Sequence, residues 1–333
     1  MIRLLIGGSQ CTHWSIAQKK NREIEAKGMG WDLFKCYLKA KEIFKPDYFL
    51  YENVWSAAGV IKEQIAEELG QPLIHINSAL VSAQNRDRFY VTNIPNVEQP
   101  KDKGIKFSDI AEKNIRGAIG EPFCIAQRGV YFETLNRYKK QDSPIVQRYE
   151  IRKDDKANAL TTVTKDDLYC TKVKNNSKDY TFEVKNNKIE IRKENKVKCY
   201  EINLSDGKYK VRNLTTLERK RLQTVPDEYK MLGKSKDLQL LGNGWTVDVI
   251  AHILSYIPNI ENEEVEVLSM FDGMCCGMLA LEKVGAKVVR YRASEIEQYA
   301  IDTVKLNYPN VEQIGNAFDI EKALKEGNKD EKE

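Results

Sequence analysis

The sequence is poor in the residues that build metal centres and disulfide frameworks. It has three histidines, at 13, 75 and 252, with no spacing that would place two of them on one metal ion. Its seven cysteines fall at 11, 36, 124, 170, 199, 275 and 276. None stands in a Cys-x-x-Cys pair and the number is odd, which argues against both a zinc site and a disulfide scaffold and leaves room for a free, reactive thiol. No apolar run has the length needed to span a bilayer. The opening MIRLLIGGSQ reads as a short buried strand ending in a turn, not as a signal peptide. The expectation is therefore a cytoplasmic protein without membrane association. A net charge of +4 is too small to announce a nucleic-acid partner.

What is present has more to say. The 333 residues suffice for one large domain and one smaller one, and 41% hydrophobic content gives each a core. Strand-like runs at 2–6, 48–54 and 73–81 alternate with helical periodicity at 31–45 and 58–69, followed by a strand at 88–94. From about 120 to 210 the pattern changes to short strands broken by Asn175-Asn176, Asn186-Asn187 and Asp206-Gly207, with TFEVKNNKIEIRK as a hairpin. Between Lys165 and Arg212 thirteen basic residues face eight acidic ones, so the excess positive charge of the whole chain sits there. Helices are expected at 214–225, with Thr215 or Thr216 as N-cap, and at 246–256. Beyond the linker IPNIENEE, strand and helix alternate again: VEVLSMF, MLALEKVG, KVVRYRASE, a helix at 296–307 and a strand near 311–314. The charged EKALKEGNKDEKE is expected to fray.

Four constellations carry chemistry. Gly273 and Gly277 follow a strand and open a helix, and Glu295 ends the next strand, where a carboxylate bonds the ribose hydroxyls of a nucleoside cofactor. Cys11 follows Gly7-Gly8-Ser9-Gln10 just beyond a strand, and a thiolate there is a nucleophile for an electron-poor carbon. Glu52, in Tyr51-Glu52-Asn53-Val54, could hydrogen-bond or protonate a ring nitrogen. Gln84, Arg86 and Arg88 are two apart and share a face of an extended strand.

With these residues on the page, the sequence resembles the cytosine-C5 DNA methyltransferase family. Cys11 in GGSQCTHWS corresponds to that family's nucleophile, Glu52-Asn53-Val54 to its Glu-Asn-Val motif and Gln84-Asn85-Arg86-Asp87-Arg88 to its Gln-x-Arg-x-Arg motif. The stretch Arg212–Pro226 is similar to the motif closing the target-recognition domain. Leu241-Gly242-Asn243-Gly244 resembles the cofactor-side motif that normally ends the protein, and Phe271-Asp272-Gly273 with Gly277 the motif that normally opens it. Here the opening motif comes after the closing one, so the chain looks circularly permuted. Gln10 stands where the family has proline, and Asn316 where it has an acid facing the adenine.

The resemblance implies a Rossmann-like α/β methyltransferase fold, circularly permuted, with a smaller, mostly β target-recognition domain. Residues 1–105 would form the catalytic part, 106–210 the target-recognition domain, 211–256 a helical return and 257–333 the cofactor-binding part. It implies a monomer that methylates carbon 5 of cytosine in double-stranded DNA, with S-adenosyl-L-methionine as donor. Cys11 would attack carbon 6, Glu52 would act at N3, and Arg86 or Arg88 would hold the base oxygen or a phosphate. Phe271, Asp272, Gly273 and Gly277 would meet the cofactor, joined by Glu295, Ile296, Asn316 and Asn243. Gln84, Ser15, Arg212 and Thr215 would meet DNA, as would Lys19, Lys20 and Arg22 on a loop over residues 12–30 that closes on it. An RNA substrate, or an inactive DNA-binding relative, are the rival readings.

Overall fold

The computed structural model describes residues 1–16, 22–138, 142–152, 154–161, 163–233 and 236–327. Its first part consists of β1 (Ile2–Gly7), α1 (Met29–Phe44), β2 (Tyr48–Val54), α2 (Gly59–Leu69), β3 (Leu73–Asn77) and β4 (Asp87–Thr92). The middle contains α3 (Phe107–Ile110), β5 (Phe123–Tyr131), β6 (Ile145–Ile151), β7 (Leu168–Val173), β8 (Phe182–Val184), β9 (Lys188–Lys193), β10 (Lys196–Glu201) and β11 (Gly207–Asn213). The last part comprises α4 (Thr216–Leu222), α5 (Lys236–Asn243), α6 (Val247–Leu254), β12 (Glu264–Met270), α7 (Cys276–Lys283), β13 (Lys287–Ser294), α8 (Gln298–Asn307), β14 (Glu312–Gln313) and α9 (Ile320–Gly327).

Seven strands form one sheet in the order β14-β13-β12-β1-β2-β4-β3. The first five are parallel, and β4 runs antiparallel between β2 and β3. β1 lies directly against β12, with Ile2 opposite Val265 and Gly7 opposite Met270. The Met1 amino group meets Glu263 at 3.1 Å at the start of the same pair. Strand alternation sends successive side chains to opposite faces. Leu4, Ile6, Val265 and Val267 pack under α6 and α7. Leu5, Leu268 and Met270 pack under α1, α2 and α9. The result is a sheet covered by helices on both sides, which buries β1 and β12 almost completely.

The middle segment is a separate antiparallel sheet, ordered β6-β5-β7-β11-β8, with β9 and β10 as a two-stranded ribbon. Asn186 and Asn187 both take positive φ, 51° and 57°, as a tight two-residue turn requires. The expected hairpin around them is barely formed, however. β9 pairs with β10 along its whole length while β8 pairs with β11, leaving one bridge, Lys185–Lys188, across the turn. The C-terminal charged stretch differs from expectation over residues 321–327, while 328–333 lie outside the described residues. Ile320 and Leu324, four apart, bury one face of α9 on the α1 side of the sheet, so residues 320–327 are helical.

Candidate active site

The five adjacent parallel strands β14, β13, β12, β1 and β2 end at one edge of the sheet, and antiparallel β4 begins there. That geometry collects the chemistry-bearing residues. One cavity of about 380 Å³ is lined by Cys11, Glu52, Arg86 and Arg88 on one side. Phe271, Asp272, Gly273, Glu295, Ile296, Asn316 and Asn243 line the other.

Cys11 opens a short 3-10 turn, Cys11–His13, and its carbonyl accepts the backbone N–H of Ser15 at 2.9 Å. The segment before it is clamped. Asn53, 1% exposed, donates to the Ser9 carbonyl at 2.9 Å, and the Ser9 hydroxyl shares a 2.7 Å hydrogen bond with that of Tyr51. Gly8 passes so close to β2 that an added Cβ would stand 2.5 Å from the Glu52 carbonyl oxygen and 3.0 Å from Glu52 Oε2. Glycine is thus required here by proximity and not by φ. Beyond Cys11, buried Trp14 donates its indole N–H to Glu23 Oε2 at 3.0 Å, and Glu23 also receives the Gly30 N–H. This anchors both ends of the loop at the helix α1 side.

Glu52 is buried, with each carboxylate oxygen given a donor. Arg88 Nε lies 2.8 Å from Oε1, and Trp245 Nε1 donates to Oε2 at 3.0 Å. The two arginines separate in role. Arg86, 3% exposed, donates to the carbonyls of Gly242 at 3.1 Å and Gly244 at 2.9 Å, tying β4 to the end of α5. Burial, reinforced by the neighbouring Arg88 charge, lowers its pKa to about 10. Arg88 is the guanidinium that reaches the carboxylate in the cavity.

On the cofactor side, Phe271, Gly273 and Cys275 all take left-handed backbone conformations, with φ of 59°, 60° and 61°. The turn between β12 and α7 is therefore tightly coiled, a conformation costly for the two non-glycine residues. It is held by Glu295, whose Oε2 accepts the Gly273 N–H at 2.8 Å and whose Oε1 accepts those of Ile296 and Glu297. Asp272 accepts the Tyr291 hydroxyl at 2.7 Å on one oxygen, while the other is sealed from solvent without a partner among the described residues. Burial pushes its pKa up to about 6. Ile296 and Phe318 leave apolar surface exposed in the cavity wall, 61% and 54%. A Cβ on Gly273 would meet nothing within 4 Å. A carboxylate at the end of β13, an open glycine turn and two exposed apolar side chains suit the ribose, the amino-acid tail and the adenine of S-adenosylmethionine.

Several expected contacts are placed elsewhere. Gly277 does not line the cavity, because a Cβ there would strike Ile6 Cδ1 at 2.2 Å, so this glycine serves helix-on-strand packing. Gln84 is wholly buried and lies before β4 begins. Its amide donates to the Leu222 carbonyl and to Gln223 Oε1 and accepts the Leu160 N–H, so it is a buried tie between the segment before β4, the end of α4 and the connection between β6 and β7, not a surface residue. Arg212 makes a bidentate pair with fully buried Glu218 (2.7 and 2.8 Å) and lies over the Tyr169 ring. Thr215 is the N-cap of α4, in a capping box with Glu218. Arg22 donates to the carbonyls of Trp14 and Ser56 and so braces the loop. Lys19 and Lys20 lie outside the described residues. Asn316 caps the turn after it, its Oδ1 accepting the Phe318 N–H at 3.1 Å. Sequence reasoning missed Trp245 and the clamp by Asn53. The only signal was position: Trp245 directly follows Asn243-Gly244, and Asn53 stands inside the Glu-Asn-Val motif.

A parallel sheet that gathers a carboxylate-held glycine turn, a free thiol and a paired carboxylate around one cavity has the architecture of a cofactor-dependent transferase. The profile of the C-5 cytosine-specific DNA methylases matches residues 1–259, and the chain belongs to that family. Its activity is methylation of carbon 5 of cytosine in DNA with S-adenosylmethionine as donor. Among curated proteins it is similar to the type II methyltransferase M.HindV of Haemophilus influenzae, 26% identical over 269 residues, 79% of this chain and 77% of that one. Solved structures similar to it include the Dnmt2 methyltransferase of S. pombe, 15% identical with a TM-score of 0.38, covering 78% of each chain. A DNMT2 mutant of Spodoptera frugiperda is 14% identical with a TM-score of 0.38, covering 76% of this chain and 78% of that one. No helix among the described residues is long and apolar enough to cross a membrane.

Proposed function

We propose that the protein acts as a monomer on double-stranded DNA and methylates a cytosine turned out of the helix, through a covalent bond from Cys11 to carbon 6. The observation that carries this reading is the single cavity shared by Cys11, Glu52, Arg88 and the cofactor turn. A base inside a duplex does not present carbon 6, so it must leave the stack to reach Cys11. The Cys11 thiolate attacks carbon 6, and the electron pair moves toward carbon 5. Glu52, fixed at both oxygens, meets the N3 edge of the ring and holds a proton there. Arg88 compensates the negative charge that develops on the base. Glu295 would hold the ribose of S-adenosylmethionine, with Ile296 and Phe318 beside the adenine. Bound S-adenosylmethionine supplies an electrophilic methyl group. Loss of the carbon-5 proton and of Cys11 then restores the ring.

The antiparallel middle sheet, with its basic excess, would read sequence in the major groove. The rotated motif order is read as a circular permutation. Supporting it are the pairing of β12 with β1 and a family match that stops at residue 259, before β12. Likeness to M.HindV supports a modification enzyme of a restriction system, working in the cytoplasm.

The test is trapping on duplex DNA carrying 5-fluorocytosine at random cytosines, in the presence of S-adenosylmethionine. A denaturation-stable complex is expected, absent in Cys11→Ala. No complex on any DNA, with cofactor binding demonstrated and labelled tRNA accepted instead, would overturn the DNA assignment.

A further inference from the structure

We propose that Trp245 is a positioning residue for Glu52, and that through it the cofactor-side segment sets the geometry of the catalytic carboxyl. This inference rests on the methyltransferase reading above. The indole Nε1 of Trp245 donates to Glu52 Oε2 at 3.0 Å, across the cavity that both residues line. Oε1 is already held by Arg88 Nε at 2.8 Å. Arg88 comes from β4, in the same sheet as Glu52, whereas Trp245 comes from the connection between α5 and α6. Without the indole, one carboxyl oxygen would keep its orientation only through the other.

The backbone around Trp245 is unusually well anchored, as positioning a donor requires. The Gly244 carbonyl accepts from Arg86 Nη2 at 2.9 Å and from Gln223 Nε2 at 3.1 Å. The Thr246 hydroxyl donates to Gln223 Oε1 at 2.9 Å and accepts from the Ser78 hydroxyl at 2.9 Å. Gly244, the residue before Trp245, packs against the cofactor turn, where an added Cβ would stand 3.4 Å from Cys276 Sγ and 3.5 Å from Met274 Sδ. The Trp245 segment thus packs on the cofactor turn while its ring reaches the catalytic carboxyl. Each Glu52 oxygen has one donor from the protein, which leaves a site on the carboxyl for the proton it holds at N3 of the base.

The test compares Trp245→Phe, which keeps an aromatic ring, with 3-benzothienylalanine at position 245, which keeps the bicyclic shape and lacks only the N–H. Three quantities are read: methyl transfer to duplex DNA, exchange of the cytosine C5 hydrogen with solvent, which reports addition of Cys11 without methyl transfer, and affinity for S-adenosylhomocysteine. Loss of one hydrogen bond to a charged group predicts a fall of kcat and of C5 exchange by about tenfold or more in both variants. Product affinity and KM for DNA are expected to stay within about threefold, below 1 kcal/mol in binding. Wild-type turnover in the benzothienyl variant, or a loss explained wholly by weaker S-adenosylhomocysteine binding, would overturn the proposal while leaving the methyltransferase reading intact. A wild-type protein without DNA methylation would overturn that reading instead.

Discussion

Replacing Gly8 by alanine isolates the register between nucleophile and acid. The added Cβ would stand 2.5 Å from the Glu52 carbonyl oxygen and 3.0 Å from Glu52 Oε2, in place of an ordinary contact near 3.4 Å. Relieving this opens the gap between the two strand ends by roughly 1 Å, and a misplacement of that size costs on the order of a hundredfold in rate. The carbonyl belongs to a central strand of the sheet and cannot swing aside like a side-chain tip. The strain should therefore appear in stability too, at about 1–3 kcal/mol, the usual cost of overpacking. The Gly8 backbone is not in the left-handed region, so no conformational penalty confuses the result. Methyl transfer measured with labelled S-adenosylmethionine should fall about a hundredfold, while S-adenosylhomocysteine binding, on the far side of the cavity, changes little. A variant with full activity would refute the claim that the approach of β1 to β2 sets the active geometry. Equal losses of activity and product binding would point to general disruption.

Three further outcomes follow from the same geometry. Gln84→Ala should lower stability by about 2–3 kcal/mol, because it strands buried partners, yet leave the salt dependence of DNA binding unchanged; a flatter salt slope would return Gln84 to the DNA surface. Asp272→Asn removes a carboxyl whose pKa burial raises to about 6. The native state favours its protonated form, so its contribution is fully present below about pH 4 and is lost as pH rises through about 6. The variant without cofactor should gain roughly 2–3 kcal/mol over wild type at pH 8 and nothing near pH 4, read from urea midpoints. Parallel pH profiles would refute that cause. A chain in which residues 260–327 precede residue 1 through a flexible linker should fold and methylate DNA; an unfolded product would count against the permutation reading.

The central strands β1, β2 and β12 were legible because each is a largely apolar run buried on both of its faces. Helix α9 was not, since its charged residues dominate the sequence and only Ile320 and Leu324 mark the buried face. The Asn186-Asn187 turn was legible as a turn, but its neighbours pair elsewhere, because pairing in a small antiparallel sheet is decided by side chains far away in the chain. Gln84 was misassigned for a local reason. Spacing by two fixes a shared face only within a strand, and β4 begins three residues later, at Asp87. Arg212 and Thr215 belong to a basic stretch, yet buried Glu218 claims both, and nothing in the spacing distinguishes a buried pair from a phosphate contact.

Why scattered motifs could be read as one site follows from the topology. A parallel strand delivers its functional residue at or beyond its C-terminal end and an antiparallel strand at or before its start. Cys11, Asp272, Glu295 and Asn316 follow their strands and Glu52 stands near the end of β2, while Arg86 precedes β4 and Arg88 is its second residue. Both rules point to the same edge of the sheet, whichever segment comes first in the chain. The order of motifs along the sequence is therefore free to rotate, provided β12 still pairs with β1. The backbone condition for that pairing is met at Gly7, where a Cβ would stand 2.8 Å from the Met270 carbonyl oxygen. The junction between the nucleophile strand and the cofactor strand thus depends on glycine in the same way as the junction between nucleophile and acid at Gly8. Two adjacent glycines, Gly7 and Gly8, hold the Cys11 segment in close contact with its neighbour on either side.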